Sequence, residues 1–286
     1  MSPAILPRAL AAILALSPGM PAMAATCPAS PAFDYLGARI ATNPPGATPA
    51  WFTATDVKLI DADGAPDAYH PGDAAAEPGA DACPDRGKGR DCLASAGYPG
   101  SGWWRSVLVH DPADPSRPVV QQDGPTAGYF VSMTTLRHVD HAGPANPASY
   151  VDAGRVPYLV LPAPIFRTRG AGGQDMGAMG DLGYAVNLAN GRATAFVIAD
   201  EGPVEPLGEA SVAFWQALGG DRPNPRNGEG LPGGRVAYVV FPGSRAQVAL
   251  GWPIDPARLE TEAGRLLDAV GGRAALEACA RTGAGR

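Results

Sequence analysis

Six short apolar runs constrain the fold of this chain more than any other feature of its sequence. Each run is rich in β-branched or aromatic residues and is bounded by Gly, Pro, Asp or Asn, a pattern typical of β-strands. The 37 glycines and 31 prolines among 286 residues imply many turns and disfavour a helical bundle. The runs are Trp104–His110, Gly128–Met133, Val156–Pro162, Asp181–Leu188, Ala193–Asp200 and Arg235–Pro242.

Turn and cap signals place further elements around these runs. Asn190-Gly191 is a strong hairpin signal, so we expect a β-hairpin over Asp181–Asp200. A helix is predicted from Glu209 to the Gly219-Gly220 pair, and another begins at the capping residue Asp255 and Pro256. We therefore expect a mainly β fold, with a small β-barrel-like core and a few peripheral α-helices.

The amino terminus is predicted to be a secretory signal peptide, residues 1–25. Arg8 precedes the apolar run Ala9–Leu16, and a small-residue cleavage pattern follows at Ala22–Ala24. The run is too short to span a bilayer. We expect a secreted or periplasmic protein whose single domain spans residues 26–286, without membrane contact after cleavage. Acylation of Cys27 is the alternative, although Ala-Ala-Thr before it is a poor context.

Four cysteines lie beyond the predicted signal peptide. An even number in an oxidising compartment predicts two disulfides, for which three pairings are possible. Cys83 and Cys92 flank a charged segment that they would close, and Cys27 and Cys279 would then join the chain ends. A zinc site is the alternative, but the chain has no Cys-x-x-Cys and no nearby His pair.

The formal net charge of −6 limits the kinds of molecule that the protein is expected to bind. An acidic chain is a poor candidate for nucleic-acid binding. It is compatible with a cationic partner.

Four carboxylates crowd the stretch Phe196–Phe214: Asp200, Glu201, Glu205 and Glu209. Asp200 precedes a Gly-Pro turn, so a turn-forming role is the simpler explanation. Glu209 lies at the predicted helix start, where its charge complements the helix dipole. Two carboxyl groups nine residues apart can also converge on one cleft, which is the arrangement that glycoside hydrolysis requires.

Several blocks around this pair, in order along the chain, resemble the chitosanases of glycoside hydrolase family 75. The likeness is to a secreted bacterial member and covers roughly residues 56–248. Ala62 stands where fungal members usually have Cys, so the disulfide pattern must differ. The blocks are IDADGAPDAYHP (Ile60–Pro71), AGYPGSGWW (Ala96–Trp104), GYFVSMTTL (Gly128–Leu136), VDAGRVPYLVLP (Val151–Pro162), GDLGYAV (Gly180–Val186), FVIADEGP (Phe196–Pro203) and LGEAS (Leu207–Ser211).

The resemblance implies that Asp200 and Glu209 are the catalytic carboxylates of an endo-acting enzyme. Its substrate would be chitosan, a chain of β-1,4-linked glucosamine, cleaved with inversion by carboxyl groups ~6.5–9.5 Å apart. We expect Glu209 as general acid, Asp200 as general base, one catalytic domain, no cofactor and a monomer. A helix N-terminus would lower the pKa of Glu209, whereas burial or the Asp200 charge would raise it.

Two alternatives to chitosan hydrolysis remain open. One is hydrolysis of another polysaccharide by the same chemistry. The other is a non-catalytic carbohydrate-binding envelope protein on the same fold.

Six further residues are predicted to contact the substrate. For Asp61 and Asp63 the alternative is a calcium site with Asp67, but no Glu closes a twelve-residue loop. Trp103 and Trp104 would face opposite sides of a strand, so that one is core and one stacks on a sugar ring. The predicted substrate-binding residues are Asp61, Asp63, Tyr69, His70, Trp104 and Asp181.

Two other chemistries are disfavoured by spacing. His138, Asp140 and His141 are too close together for a usual zinc site. Ser101 lies in a turn rather than in the Gly-x-Ser-x-Gly elbow of a serine hydrolase. We therefore expect neither a metal nor a serine nucleophile.

Overall fold

The structure, a computed structural model, describes residues 25–73, 83–170, 173 and 175–282. Apart from Ala25, the predicted signal peptide lies outside these residues. Nine strands within them form one mixed sheet. They are β1 (Ser30–Tyr35), β2 (Ala38–Thr42), β3 (Trp51–Thr55), β4 (Leu59–Asp61), β5 (Tyr158–Pro162), β6 (Leu182–Asn187), β7 (Ala193–Gly202), β8 (Glu209–Ser211) and β9 (Val236–Phe241).

The strand order is β1-β2-β3-β9-β6-β7-β5-β8-β4. The β5–β7 and β4–β8 pairs are parallel, and the other neighbouring pairs are antiparallel. The mainly β class is confirmed. The sheet is not closed into a barrel, because its two outer strands, β1 and β4, do not pair with each other.

The predicted hairpin is formed by β6 and β7. Their antiparallel register runs from Leu182 opposite Val197 to Val186 opposite Ala193. The connection comprises residues 188–192 and is therefore longer than a two-residue turn. Gly191 has φ 72°, a left-handed conformation that glycine adopts without steric cost.

Five α-helices surround the sheet in the described residues. Asp255 caps α4 as predicted, since its side chain accepts a hydrogen bond from the Ala257 amide. Helix α3 begins three residues later than predicted, because Glu209 still belongs to β8. The helices are α1 (Val139–Ala142), α2 (Ala163–Arg167), α3 (Val212–Ala217), α4 (Pro256–Ala269) and α5 (Gly272–Thr282).

Side chains alternate between the two faces of the sheet and build a core on each. Along β9, Val239 and Phe241 join the core that includes α4 and α5. Tyr238 and Val240 join the opposite core with residues of α3. Burial on both faces explains why β5 and β9 are apolar at nearly every position.

Two of the six predicted strands are irregular. Residues Gly102–Ser106 form a 3₁₀ turn, because backbone bonds such as Val107 N–H to Trp104 C=O are local. Leu108 then makes only an isolated bridge to Ser132. The Gly128–Met133 run likewise pairs through isolated bridges rather than a continuous ladder.

Both predicted disulfides are present. Cys27–Cys279 joins the two ends of the described chain, with Cα atoms 4.6 Å apart. Cys83–Cys92 closes the charged segment, with Cα atoms 5.6 Å apart. These bonds are compatible with an extracytoplasmic protein. Among the described residues, no helix has the length and apolar character to span a membrane.

Candidate active site

A cleft of about 800 Å³ opens where the ends of β4, β7 and β8 meet. Six carboxyl groups line it together with one tryptophan. In the described part of the chain, the lining includes no lysine, arginine or histidine. The acidic and aromatic lining residues are Asp61, Asp63, Trp103, Asp200, Glu201, Glu205 and Glu209.

A β-bulge directs Asp200 into this cleft. Leu159 of β5 pairs with Ile198, but the next residue, Val160, pairs with Asp200, so Ala199 is an extra residue in β7. Paired residues in a sheet share a face, and Val160 lines the cleft. Without the bulge, Asp200 would follow Ile198 to the opposite core.

Three hydrogen bonds hold the Asp200 carboxylate. Its Oδ1 accepts from Thr135 Oγ1 at 2.6 Å, Thr135 N at 3.2 Å and Glu201 N at 2.8 Å. Thr135 is brought there because the neighbouring Leu136 amide donates to Ala199 C=O. Burial raises the pKa of Asp200 to about 6, and these hydrogen bonds limit the rise because they favour the ionised form.

Asp61 and Asp63 lie beside Asp200. Asp61 ends β4 and accepts a 2.7 Å hydrogen bond from the Asp63 amide. Asp63 Oδ1 accepts from Tyr69 Oη at 2.8 Å and from Ser132 Oγ at 3.2 Å. One oxygen of each of the three aspartates lies within 4.8 Å of the others.

The close approach of these aspartates disfavours full ionisation. Burial, and then the charge of Asp200, raises the pKa of Asp61 to about 7. Burial and the Asp61 charge raise the pKa of Asp63 well above its usual range. Of the three carboxyl groups, Asp200 accepts three hydrogen bonds on one oxygen, and these favour its ionised form.

The surroundings of Glu209 favour its protonated form. It opens β8 opposite Leu59 and faces the cleft. Burial, then the charge of Asp61, then a hydrogen bond with Glu205 raise its pKa well above the usual range. The predicted lowering by a helix dipole does not apply, since α3 begins only at Val212.

Oxygen ligands at this cluster are of the type that suits a hard cation such as calcium. In the described residues, the carboxylate oxygens of Asp61, Asp63 and Asp200 lie close enough together to hold one cation. Asp67 does not join them, because its carboxylate binds Arg90 at 2.5 Å. The oxygens of Asp63 and Asp200 already accept protein hydrogen bonds, which explains their orientation without an ion.

One of the two adjacent tryptophans is buried and the other is exposed, as alternation predicts, but the exposed one is Trp103 and not Trp104. Trp104 is 3% exposed and packs against Tyr98 in the core, so the structure does not place it in the cleft. Trp103 is 50% exposed and lines the cleft. The 3₁₀ turn, rather than a strand, determines which ring faces outward.

Three other predicted contact residues do not line the cleft. Tyr69 is 2% exposed and acts behind the site by donating to Asp63. His70 accepts from the Gly72 amide and packs edge-on against Tyr129. Asp181 is 1% exposed, and its carboxylate accepts from the backbone of Ala178, Gly243 and Arg245, so it organises loops.

Two cleft residues are missed by sequence reasoning. Thr135 lies in the TTL segment of a matching block, where nothing in the local sequence marks it as a partner of Asp200. Glu205 lies in the segment after β7, where nothing in the local sequence marks it as a partner of Glu209, yet it is half-buried and lies close to Glu209. Both contacts depend on where distant segments meet.

No protein-family model matches the chain, and no curated protein matches it either.

Proposed function

We propose that this protein is a secreted or periplasmic endo-acting glycoside hydrolase that cleaves β-1,4-linked glucosamine chains. The observation that carries the proposal is that one cleft holds two carboxyl groups in different settings. Asp200 accepts three hydrogen bonds, and Glu209 lies close to a second carboxyl group, that of Glu205. Burial and neighbouring carboxyl groups favour the protonated form of Glu209, whereas three hydrogen bonds to Asp200 favour its ionised form. Separation of proton affinities within a carboxyl pair is the requirement of acid–base glycoside hydrolysis.

The reaction follows from these states. Glu209 donates its proton to the glycosidic oxygen as the bond from that oxygen to C1 breaks. Asp200 accepts a proton from water as the water oxygen bonds to C1 from the opposite face. The water supplies a hydroxyl group to one product and the second product leaves as an alcohol, with inversion at C1.

The charge of the cleft supports a cationic substrate. Glucosamine units carry ammonium groups, and six carboxyl groups line the cleft without a cationic side chain in the described residues. Such a lining offers hydrogen-bond acceptors to ammonium groups and, among the described residues, has no cationic side chain that would bind an anionic glycan. The exposed ring of Trp103 offers a flat apolar surface on which a pyranose can stack.

The non-catalytic alternative predicts carboxylates that are neutralised by cations. Among the described residues, none of Asp61, Asp63, Asp200 and Glu209 forms an ion pair with Lys, Arg or His. A protein that only binds a cationic sugar needs ionised carboxylates, and it gains nothing from a carboxyl group that favours its protonated form, as Glu209 does. A proton donor in the cleft therefore favours catalysis over binding alone.

The test is hydrolysis of chitosan by the mature protein, followed through the size of the products. Asp200→Asn and Glu209→Gln preserve shape and are expected to abolish activity while the protein stays folded. Glu229→Gln, which removes an exposed carboxylate outside the cleft, is the control and should retain activity. Chitin, peptidoglycan glycan and an acidic exopolysaccharide, tested with reducing-end detection, separate chitosan from other polysaccharides.

A further inference from the structure

Glu205 and Glu209 converge on the same small space above Gly202. A methyl group on Gly202 would lie 3.1 Å from Glu205 Oε1 and 3.2 Å from Glu209 Oε2. The proximity of Glu205 in this space contributes to raising the pKa of Glu209. Gly202 does not have a positive φ, so its lack of a side chain leaves space for Glu205, Glu209 and Val160 rather than permitting a left-handed turn.

Two carboxyl groups can hydrogen-bond only when one of them is protonated. Asp61 and Asp63 add negative charge near Glu209 and so disfavour its carboxylate form. Glu209 therefore favours its protonated form, from which its O–H can donate a hydrogen bond to the neighbouring Glu205.

We propose that Glu205 is a positioning residue that shares a proton with Glu209 and keeps Glu209 in its proton-donating form. The inference rests on the proposed hydrolysis, because it assigns to Glu205 the maintenance of the acid in that reaction. Glu205 acts through Glu209 and need not touch the substrate.

The groups that face this pair come from several elements. Asp61 and Asp63 influence Glu209 from the end of β4 and the turn that follows. Tyr35 of β1 lies near Glu205, since burial and then the charge of Glu205 raise the pKa of Tyr35. The Tyr35 hydroxyl is buried and has no hydrogen-bond partner within the described chain.

The experiment compares the pH profiles of kcat/KM on chitosan for two matched variants that each remove one negative charge. Glu205→Gln is expected to move the basic limb at least about 1 pH unit lower, because Glu209 then loses its proton more easily. Glu201→Gln is expected to move the acidic limb instead, because the Glu201 charge raises the pKa of Asp200. Gly202→Ala should shift the basic limb in the same direction as Glu205→Gln, by separating the two carboxyl groups.

An active wild-type protein whose basic limb is unchanged in both Glu205→Gln and Gly202→Ala would overturn the inference and leave the proposed function intact. A wild-type protein inactive on every glycan would overturn the proposed function alone. In that case, carboxyl ¹³C NMR of glutamate-labelled protein decides the inference. The inference requires that Glu209 titrate at a lower pH in Glu205→Gln than in the wild type. Titration of Glu209 at the same pH in both proteins refutes the inference. If Glu205→Gln does not fold, Gly202→Ala serves for both measurements.

Discussion

Replacing Thr135 by Val tests whether hydrogen bonding prepares Asp200 as the base. The substitution keeps the shape of the side chain but removes the 2.6 Å hydrogen bond from Oγ1 to Asp200 Oδ1. The Thr135 amide, 3.2 Å from the same oxygen, still donates. The change therefore removes one hydrogen bond to the ionised form of the base.

The magnitude follows from the strength of that bond. A hydrogen bond to a charged group contributes about 1.5–3 kcal/mol, and about 1.4 kcal/mol corresponds to one pKa unit. Because the amide remains, we expect a rise of about 1 unit in the pKa of Asp200, which is about 6 in the wild type. Near pH 6 the ionised fraction then falls from about one half to about one tenth, a roughly fivefold loss of kcat/KM.

The assay is the pH dependence of kcat/KM on chitosan oligosaccharides. Thr135→Ser keeps the hydroxyl and is the matched control, with an acidic limb close to that of wild type. Activity of Thr135→Val should approach that of wild type above pH about 8, where Asp200 is ionised in both. An acidic limb that does not move in Thr135→Val, or that moves equally in Thr135→Ser, refutes this role of the hydroxyl.

Three further predictions concern substrate stacking, a buried ion pair and pH. Trp103→Ala should raise KM for chitosan oligomers by about tenfold with little change in kcat, because a stacking surface is lost; an unchanged KM contradicts stacking, and Trp103→Tyr should retain most binding. Arg226→Ala should reduce the free energy of unfolding, measured in urea, by about 3–5 kcal/mol. The reason is that Arg226 and Asp73 form an ion pair whose side chains are only 3% and 4% exposed. Arg222 is exposed, so Arg222→Ala is the control, and an equal loss in both variants would contradict the prediction. The melting temperature should be higher near pH 5 than near pH 8, because Asp61 and Asp200 have pKa values of about 7 and about 6 when folded, above the unfolded value of about 3.9. Their contribution to stability is complete below the unfolded pKa and is lost as the pH rises through the folded pKa values. Asp61→Asn should reduce the difference in melting temperature between pH 5 and pH 8, and a higher melting temperature at pH 8 would refute the prediction.

Local signals in the sequence predict the elements that depend on local bonds. The β6–β7 hairpin follows from Asn190-Gly191, and the start of α4 follows from the capping bond of Asp255. Alternation also predicts that one of two adjacent tryptophans is buried. It does not predict which one, because Trp103 and Trp104 lie on a 3₁₀ turn whose bonds are not those of a strand.

The arrangement of the cleft depends on contacts between distant segments, which local patterns do not specify. Asp200 faces the cleft only because Ala199 is an extra residue relative to β5. Its partner Thr135 is 65 residues away in sequence. Closure of the sheet is equally non-local, since it depends on whether β1 meets β4, and these two strands do not pair.

The central claim is that Asp200 and Glu209 act as base and acid on one glycosidic bond, and the stereochemistry of the product tests it most directly. Proton NMR during hydrolysis of chitosan oligosaccharides by the mature protein reports the anomer that forms first at the new reducing end. We predict that the α-anomer appears first, since water attacks the β-linked C1 from the opposite face, and that no product forms with Asp200→Asn or Glu209→Gln. Initial release of the β-anomer, or cleavage by either folded variant, would contradict the account.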